Sequence, residues 1–286
     1  MVTHTEIEPD PLCYTFITLD STRKETLLEQ YFQRYSSAII AFSGGVDSSY
    51  LAFIGTRILG RAAHCFTSLS AAVSDRQRKL AERFAFRHGL NHSYLNTDEV
   101  DQPDYRKNPG NRCYFCKSEL YSRLAQCRNQ MGLSVVLDGT NADDLGDYRP
   151  GRRAATELGV VSPLAELGMT KQMIRERSHA WQLETWDLPA MPCLSSRFPY
   201  GTEIDRQRLL QVEKSEDILW KMGFRNFRVR YYGATARLEV AKEEMPRLIP
   251  SILDDISREL RSLGFDRVEV DRKGFRSGSL NEGIPK

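Results

Sequence analysis

The sequence predicts an α/β protein with a parallel sheet that has helices on both faces, followed by a smaller C-terminal α+β domain. Between residues 22 and 137, short apolar segments alternate with segments that have the apolar spacing of a helix. This order is expected for βαβ units around a parallel sheet. Three prolines, Pro189, Pro192 and Pro199, then fall within a short stretch. We expect this stretch to be an ordered loop at a domain boundary.

The elements predicted for the first part alternate between helix and strand. Leu28, Tyr31 and Phe32 have the spacing of one helix face, and Ile39-Ile40 lie in a short apolar run that fits a buried strand. The predicted elements are helix 22–35, strand 38–42, helix 48–59, strand 62–68, helix 74–88, strand 92–95, helix 116–131 and strand 134–137.

A second group of elements is predicted after the proline-rich stretch. It consists of helix 205–222, strands 227–232 and 236–240, helix 249–263 and strand 267–271. Two helices among three strands in this order favour a small α+β unit rather than a continuation of the parallel sheet.

Composition excludes several classes of function. The chain has 286 residues with 40 basic and 38 acidic side chains, a net charge of +2, so the basic excess of a general nucleic-acid binder is missing. No segment approaches the roughly 18 consecutive apolar residues of a membrane span. Residues 1–8 lack the basic and then apolar layout of a signal peptide. We expect a cytoplasmic protein with no membrane association and no nucleic-acid partner.

The most informative motif is Ser43–Ser49, a glycine turn between a predicted strand and a predicted helix. Gly44 and Gly45 allow the backbone to approach phosphates closely. The N–H groups and the dipole at a helix N-terminus favour an anion at the same place. Hydroxyl groups come from three serines of the motif, Ser43, Ser48 and Ser49. The motif therefore predicts a phosphate site.

One residue of this motif, Asp47, indicates a metal ion. A carboxylate is a poor ligand for a phosphate, so its presence implies that Mg²⁺ lies between Asp47 and the phosphates. The motif lacks the Gly-x-x-x-x-Gly-Lys-Ser/Thr pattern, which excludes the P-loop kinases and GTPases.

A polar turn over residues 138–144 follows the last strand of the predicted sheet. Gly139 is a candidate for nucleotide binding, and Asp143 or Asp144 is a candidate contact to the nucleotide or its metal. The alternative is an Asx-rich turn that only caps the next helix. Residues 148–153 contain three arginines and either contact an anion or form a solvated basic loop.

The six cysteines fall into two groups. Three of them lie singly in apolar or helical surroundings and are expected to be buried thiols: Cys13, Cys65 and Cys127. Cys113 and Cys116 have the C-x-x-C spacing of metal or redox sites. A zinc site would need two more ligands, and Cys193 is one candidate. Three cysteines also match an iron–sulfur cluster with one open iron. Alternatively, Cys193 acts alone as a nucleophile or sulfur donor.

Two arginines of the C-terminal part, Arg228 and Arg230, share one face of a predicted strand because side chains alternate along a strand. Paired guanidinium groups can bind a phosphate in a bidentate manner. A solvated strand face is the alternative. Arg237 and Glu239 likewise share a face of the next strand.

Taken together, these motifs resemble a known family. Ser43–Ser49 is typical of the PP-loop superfamily, which cleaves ATP between the α- and β-phosphates to adenylate a carbonyl or carboxylate oxygen. The ordered set of motifs resembles the LarE family of ATP-dependent sulfur transferases, which mature the nickel-pincer nucleotide cofactor of lactate racemase. The set comprises residues 43–49, 111–117, 138–144, 192–197, 228–230, 236–239 and 278–281.

The resemblance implies a reaction. ATP adenylates a carboxylate of a small anionic nucleotide, a pyridinium dicarboxylate mononucleotide, and a sulfur nucleophile displaces AMP to give a thiocarboxylate. A second cycle gives the dithio product that later takes up nickel. Family members with one cysteine, at the position of Cys193, sacrifice its sulfur, whereas members with three cysteines hold a [4Fe-4S] cluster. Because this chain also has Cys113 and Cys116, we predict the cluster type.

The resemblance also implies roles for individual residues, with Asp47 and Cys193 as the catalytic ones. Pyrophosphate and Mg²⁺ are bound by Ser43, Gly44, Gly45, Asp47, Ser48 and Ser49. The nucleotide also contacts Gly139 and Asp144. The cluster is held by Cys113, Cys116 and Cys193. The substrate phosphate or carboxylates are bound by Arg197, Arg228 and Arg230, with Glu216 and Glu239 near the substrate or a metal.

From the sequence we expect a flexible leader (residues 1–20) and a domain boundary near residue 190. The resemblance makes residues 21–190 a PP-loop ATP-pyrophosphatase domain and residues 191–286 a C-terminal domain for substrate binding and oligomerisation. Homo-oligomers and a downstream nickel-insertion protein are the expected partners.

A tRNA thiolase is an alternative that would need an RNA-binding module. An ATP-dependent amide-forming ligase is another, and it would not need Cys193. A nucleotide sensor would not release pyrophosphate.

Overall fold

The computed structural model describes residues 19–146 and 150–276, which form two compact units. The first takes in the chain up to Ser68, then Arg76–Asn96 and Lys117–Met191. The second takes in Leu69–Asp75, Thr97–Cys116 and the chain from Pro192 onwards. The predicted domain boundaries at residues 20 and 190 stay a prediction.

Some parts of the chain that the sequence analysis names lie outside the described residues. They are residues 1–18 of the predicted leader, including Cys13, two residues of the basic segment, Tyr148 and Arg149, and the motif at residues 278–281.

The first unit contains a sheet of four strands: β1 (Ala38–Ala41), β2 (Ala63–Ser68), β3 (Asn91–Leu95) and β4 (Val135–Leu137). The strand order is β3-β2-β1-β4, and each neighbouring pair is parallel. Beyond β4, a parallel bridge joins Leu137 to Val161. Because β1 is an inner strand, the loop that follows it lies in the middle of the carboxyl edge of the sheet.

Helices alternate with these strands. In chain order, up to residue 191, they are α1 (Ser21–Phe32), α2 (Val46–Leu59), α3 (Asp75–Arg87), α4 (Pro103–Arg106), α5 (Arg112–Met131), α6 (Pro150–Glu157), α7 (Pro163–Glu166) and α8 (Lys171–Ala180). Among the described residues, no helix has the length and apolar composition needed to cross a membrane.

The core of the first unit explains why the sheet forms. Ala38, Ile39 and Ile40 of β1 are all fully buried. Successive side chains of a strand point to opposite faces, so both faces of the sheet are covered at β1. Phe32 of α1 and Ile54 of α2 belong to the same apolar core as Ile40. The predicted α/β class with a parallel sheet is confirmed.

Each helix and strand predicted for the first part has a counterpart in the structure. The largest difference in bounds is at α5, which was expected from Cys116 and begins at Arg112. Cys113 and Cys116 therefore both lie in the first turns of a helix. Four described helices, α4, α6, α7 and α8, have no counterpart among the predicted elements.

The second unit has its own mixed sheet of β5 (Phe227–Tyr232), β6 (Thr235–Val240) and β7 (Arg267–Val270). In the order β5-β6-β7, the first pair is antiparallel and the second parallel. Helices α9 (Arg206–Lys221) and α10 (Pro250–Ser262) share an apolar core with this sheet through Leu219, Val229, Leu238 and Ile256. The predicted small α+β unit is confirmed.

Candidate functional site

The loop between β1 and α2 is shaped by glycine. Gly44 has a φ of +74°, a backbone conformation that residues with a side chain rarely adopt. A Cβ atom on Gly44 would also lie 2.9 Å from the backbone of Ala81. Both observations require glycine. The loop leads into the N-terminus of α2, where N–H groups without a helical partner favour an anion.

The serines of the loop hold its conformation. The backbone N–H of Ser43 donates to Ser48 Oγ at 3.1 Å, and the two hydroxyl oxygens are 3.0 Å apart. Ser49 is fully buried, and its backbone N–H donates to Gly45 O at 2.9 Å. Within the described part of the chain, the hydroxyl of Ser49 has no hydrogen-bond partner. Ser43 and Ser48 therefore order the turn, and Ser49 adds a hydroxyl directly behind it.

The turn after β4 lies against the same helix end. A Cβ atom on Gly139 would lie 2.9 Å from the backbone nitrogen of Ser48, so only glycine permits this approach. The carboxylate of Asp138 fixes the turn by accepting hydrogen bonds from the hydroxyls of Tyr121 at 2.6 Å and Ser162 at 2.7 Å. Asp138 is buried and satisfied, which indicates a structural role for this carboxylate.

Asp47 is the charged group at the centre of this arrangement. Its Oδ2 atom is 2.6 Å from Nζ of Lys171. Its Oδ1 atom is buried, and no hydrogen-bond partner for it exists in the described ranges. Lys171 is the first residue of α8, and its backbone N–H donates to the carboxylate of Asp143 at 2.8 Å. The salt bridge thus connects the loop after β1 to the turn after β4 and to α8.

Burial raises the pKa of Asp47 above its ordinary range, and the nearby carboxylate of Asp144 adds to this, although Lys171 opposes it. Asp144 itself accepts a hydrogen bond from the backbone N–H of Asn141 at 3.1 Å. Two carboxylates that repel each other, one of them with an unsatisfied oxygen, form a donor set of the kind that Mg²⁺ prefers.

Sequence reasoning missed Lys171. The signal that was available is the cap of its helix, because the Thr170 side chain accepts a hydrogen bond from the backbone N–H of Met173 at 3.3 Å. A threonine before a helical stretch is a recognisable start signal.

The second unit contains the three cysteines of interest. Cys113 is exposed, and Cys116 and Cys193 are half-buried. Cys116 and Cys193 pack against one apolar cluster that includes Tyr105 and Phe198. Of the other two described cysteines, Cys65 is buried as expected, and burial raises the pKa of its thiol to about 12, which fits an inert core thiol. Cys127 was expected to be buried as well, but it is half-buried on the long helix α5.

A buried arginine lies among these cysteines. Arg112 is 6% exposed, and its Nη1 donates to Asn108 Oδ1 and, at 3.1 Å, to the carbonyl oxygen of Ser195. Burial alone would lower the pKa of Arg112, but Cys193, followed by Tyr105 and Cys113, raises it above its ordinary value.

Tyr105 is a second buried residue that lies near Arg112 and these cysteines. Its hydroxyl is 2.6 Å from Ser195 Oγ. Burial raises the pKa of Tyr105 well above its ordinary value, and Cys193 and Cys116 raise it further. All three thiols thus act electrostatically on Arg112, on Tyr105 or on both.

In the described ranges, no three His, Cys, Asp or Glu side chains are grouped closely enough to hold a metal ion. The ligands of a cubane cluster bind separate irons and need not converge as those of one ion do. The three thiols near Arg112 and Tyr105 are a donor set that fits such a cluster.

Comparison with known proteins identifies the family. The asparagine synthase family model matches residues 37–190. Over 267 residues the chain is 32% identical to pyridinium-3,5-bisthiocarboxylic acid mononucleotide synthase of Lactiplantibacillus plantarum, covering 93% of this chain and 96% of that protein. The chain belongs to the LarE family. It is therefore an ATP-using, adenylating sulfurtransferase of the PP-loop kind.

Two uncharacterized proteins are also similar to this LarE-family chain. One, from Synechocystis sp., is 40% identical over 260 residues, which is 91% of this chain and 97% of that protein. The other, from Methanocaldococcus jannaschii, is 30% identical over 254 residues, which is 89% of this chain and 96% of that protein. The similarity thus extends over both units.

The arginines predicted for the substrate lie in a network of buried ion pairs. Arg197 and Glu216 form a bidentate pair, with Nε–Oε1 and Nη2–Oε2 distances of 2.9 Å. Nη1 of Arg197 also donates to the carbonyl oxygens of Pro192 at 2.8 Å and Cys193 at 2.9 Å. In this LarE-family chain, Arg197 therefore holds the loop that carries Cys193.

The neighbouring strand contributes a second pair. Arg230 and Glu239 are 2.8 Å apart, both nearly fully buried, and Arg230 Nη1 donates to Ser196 O at 2.5 Å. Arg228 lies with its guanidinium 4.8 Å from the centre of the Phe275 ring. Burial, followed by repulsion from Arg197, lowers the pKa of Arg228 to about 10. With three arginines and two glutamates, the network has an excess of positive charge.

The Arg197–Glu216 pair predicts a pH-dependent contribution to stability. Burial would raise the pKa of Glu216, but Arg197 lowers it below its ordinary value of 4.5. The pair therefore stabilises the fold above that value, and the stabilisation is lost as the pH falls through the folded-state pKa.

We expect Glu216→Gln to reduce the free energy of unfolding by about 3–5 kcal/mol at neutral pH, because it leaves a buried arginine unpaired. The difference from the wild type should shrink in acid. Denaturant unfolding at both pH values measures it. Glu203→Gln, which breaks an exposed pair with Arg106, is the control and should cost at most about 1 kcal/mol. Equal losses for both variants would contradict the expectation.

Proposed function

We propose that this chain converts the carboxylates of a pyridinium dicarboxylate mononucleotide to thiocarboxylates, at the expense of ATP, in nickel-pincer nucleotide cofactor synthesis. The observation that carries the proposal is the presence, in one LarE-family chain, of an ordered PP-loop site and of three cysteines around a buried arginine. The name of the Lactiplantibacillus plantarum relative supplies the substrate class.

In the first unit, ATP phosphates bind at the N-terminus of α2. The backbone N–H groups and the helix dipole stabilise the negative charge. The phosphate-binding residues are Ser43, Gly44, Gly45, Ser48 and Ser49, and Gly139 borders the same space. Asp47, whose Oδ1 is buried and unsatisfied, and Asp144 would hold Mg²⁺, which would supply positive charge to the leaving pyrophosphate.

The reaction has two steps. An oxygen of the substrate carboxylate attacks the α-phosphorus of ATP, the bond from that phosphorus to the bridging oxygen breaks, and pyrophosphate leaves. An anionic sulfur nucleophile then attacks the activated carbonyl carbon. The bond between that carbon and the AMP oxygen breaks, and AMP leaves with the oxygen that came from the substrate. Lys171 lies 2.6 Å from Asp47 at the N-terminus of α2, so its ammonium group is placed to contact the leaving pyrophosphate.

In the second unit, the positive excess of the arginine network selects the anionic substrate. Arg228 and Arg230 bind its phosphate, and the pKa of Arg228, which burial and repulsion from Arg197 lower to about 10, indicates that an anion beside it would be favourable. Arg197 and Glu216 act together to hold the Cys193 loop at the substrate.

The sulfur comes from the three-cysteine site. Cys113, Cys116 and Cys193 would hold a [4Fe-4S] cluster, which would supply an exchangeable sulfide as the sulfur nucleophile. A protein that regains its sulfide is not consumed in one turnover, whereas a sacrificed Cys193 would end its activity. Cys116 and Cys193 pack on an apolar cluster, which limits the access of water to their side of this centre.

We also propose how the chain is divided into domains and how it assembles. A PP-loop domain over residues 21–190 and a C-terminal domain over residues 191–286 act in one cytoplasmic chain that forms homo-oligomers through the C-terminal domain. The dithio product passes to a nickel-insertion protein.

The salt bridge between Asp47 and Lys171 predicts a specific defect in ATP use. Lys171→Met should raise the KM for ATP by about 10- to 100-fold, the equivalent of one charged hydrogen bond to phosphate, and Lys171→Arg should restore part of the affinity. Pyrophosphate release at varied ATP concentration measures this. Gln172→Met, a change at the next and exposed position of α8, is the matched control. An unchanged KM for Lys171→Met would exclude a phosphate contact.

The cysteine assignment predicts that adenylation and sulfur transfer separate. In protein purified without oxygen, the wild type should contain about four irons per chain and labile sulfide. Cys193→Ala should keep carboxylate-dependent exchange of pyrophosphate into ATP and lose thiocarboxylate formation. Cys127→Ala, at a cysteine outside the site, should keep both.

Two results would contradict this assignment. Absence of iron together with loss of sulfur from Cys193 after turnover would establish the sacrificial route. If Cys193→Ala instead forms an amide of the substrate at the wild-type rate, in a reaction that depends on ammonia, the chain is an amide-forming ligase.

A further inference from the structure

Arg112 is a buried cation whose partners are neutral. Its guanidinium donates from Nη1 to the amide oxygen of Asn108 and to the carbonyl oxygen of Ser195. Because both hydrogen bonds leave from the same nitrogen, Nη2 and Nε are left for a further acceptor. The groups that act on it electrostatically are thiols and tyrosines: Cys193, Tyr105, Cys113 and Tyr200.

Among the described residues of the second unit, two other arginines are as buried as Arg112, and both have a carboxylate partner. Arg197 is paired with Glu216, and Arg230 with Glu239, in each case at 2.9 Å or less. A buried charge is costly unless it is paired. An arginine keeps its charge at all physiological pH values. Arg112 directly precedes Cys113, and Ser195, to which it donates, lies two residues after Cys193. A buried guanidinium in this position is stabilised if the cysteines beside it carry a negative charge.

We propose that Arg112 is the counter-ion and positioning residue of the sulfur centre that Cys113, Cys116 and Cys193 form. The inference rests on the proposed function, in which these cysteines carry the transferred sulfur. A centre bound by three thiolates and holding an additional sulfide has a net negative charge, which Arg112 compensates from within the protein.

The same residue connects the two segments that bear the cysteines. Arg112 begins α5, which carries Cys113 and Cys116, and its hydrogen bond reaches the carbonyl oxygen of Ser195 in the turn that follows Cys193. Tyr105 makes a second, uncharged link to the Ser195 hydroxyl at 2.6 Å. Charge and position can therefore be tested separately, because a variant at Ser195 removes a link without removing a charge.

The test compares Arg112→Met, Arg112→Lys and Ser195→Ala with the wild type, each purified as the full chain without oxygen. Iron, labile sulfide and the midpoint potential of the centre are measured, and circular dichroism checks the fold. We expect Arg112→Met to shift the potential to more negative values, because the loss of a positive charge disfavours the reduced state. Arg112→Lys should stay close to the wild type, and Ser195→Ala should keep the wild-type potential.

An unchanged potential in Arg112→Met with full iron content would overturn the proposal. If Arg112→Met binds no iron, its potential cannot be measured, and the iron content of Arg112→Lys becomes the test. Iron at the wild-type level in Arg112→Lys supports a role of the charge, and equal loss of iron in both arginine variants overturns it.

The wild-type iron content separates this inference from the proposed function. If the wild type itself holds no iron, the cluster assignment fails, and thiocarboxylate formed per chain in a single turnover becomes the readout. A loss in Arg112→Met with recovery in Arg112→Lys then supports the counter-ion, and equal yields overturn it.

Discussion

The turn after β4 can reach the N-terminus of α2 only because Gly139 has no side chain, since a Cβ atom there would lie 2.9 Å from the backbone nitrogen of Ser48. The ATP site depends on this contact. It brings the 138–144 turn beside Asp47, and the backbone N–H of Ala142 then donates to Met169 O at 2.9 Å, just before α8. Lys171 can thereby pair with Asp47. Backbone packing thus brings together three segments that are distant in sequence, at the place where we propose that phosphate and Mg²⁺ bind.

In the second unit, buried guanidinium groups organise the loop that carries Cys193. Arg197 and Arg230 both donate to carbonyl oxygens of this loop while pairing with glutamates. Such pairs add little net stability over an apolar core but specify one arrangement, because breaking one leaves a buried charge. Arg112 donates to the same loop, and among the described residues it has no glutamate partner. The loop is therefore held by cations, and the uncompensated charge lies where we propose that anionic sulfur is carried.

Much of this could be predicted from sequence, because the signals are local. An apolar run followed by Ser43–Ser49 predicted β1, the loop and α2, and the motif also gave the correct superfamily. What could not be predicted is pairing across long sequence separations. Lys171 was missed because α8 is short and polar, and nothing in the sequence connects it to Asp47, 124 residues away. The partners of Arg197 and the burial of Arg112 likewise depend on tertiary packing.

The central claim is that ATP activates a substrate carboxylate so that sulfur can replace one of its oxygens. The most direct test uses substrate with ¹⁸O in its carboxylates, together with ATP and sulfide-loaded protein, and records the mass of the nucleotide product. We expect one ¹⁸O in AMP for each thiocarboxylate formed, because the carbon–oxygen bond breaks when AMP leaves. Unlabelled AMP, or ADP and phosphate in place of AMP and pyrophosphate, would contradict it.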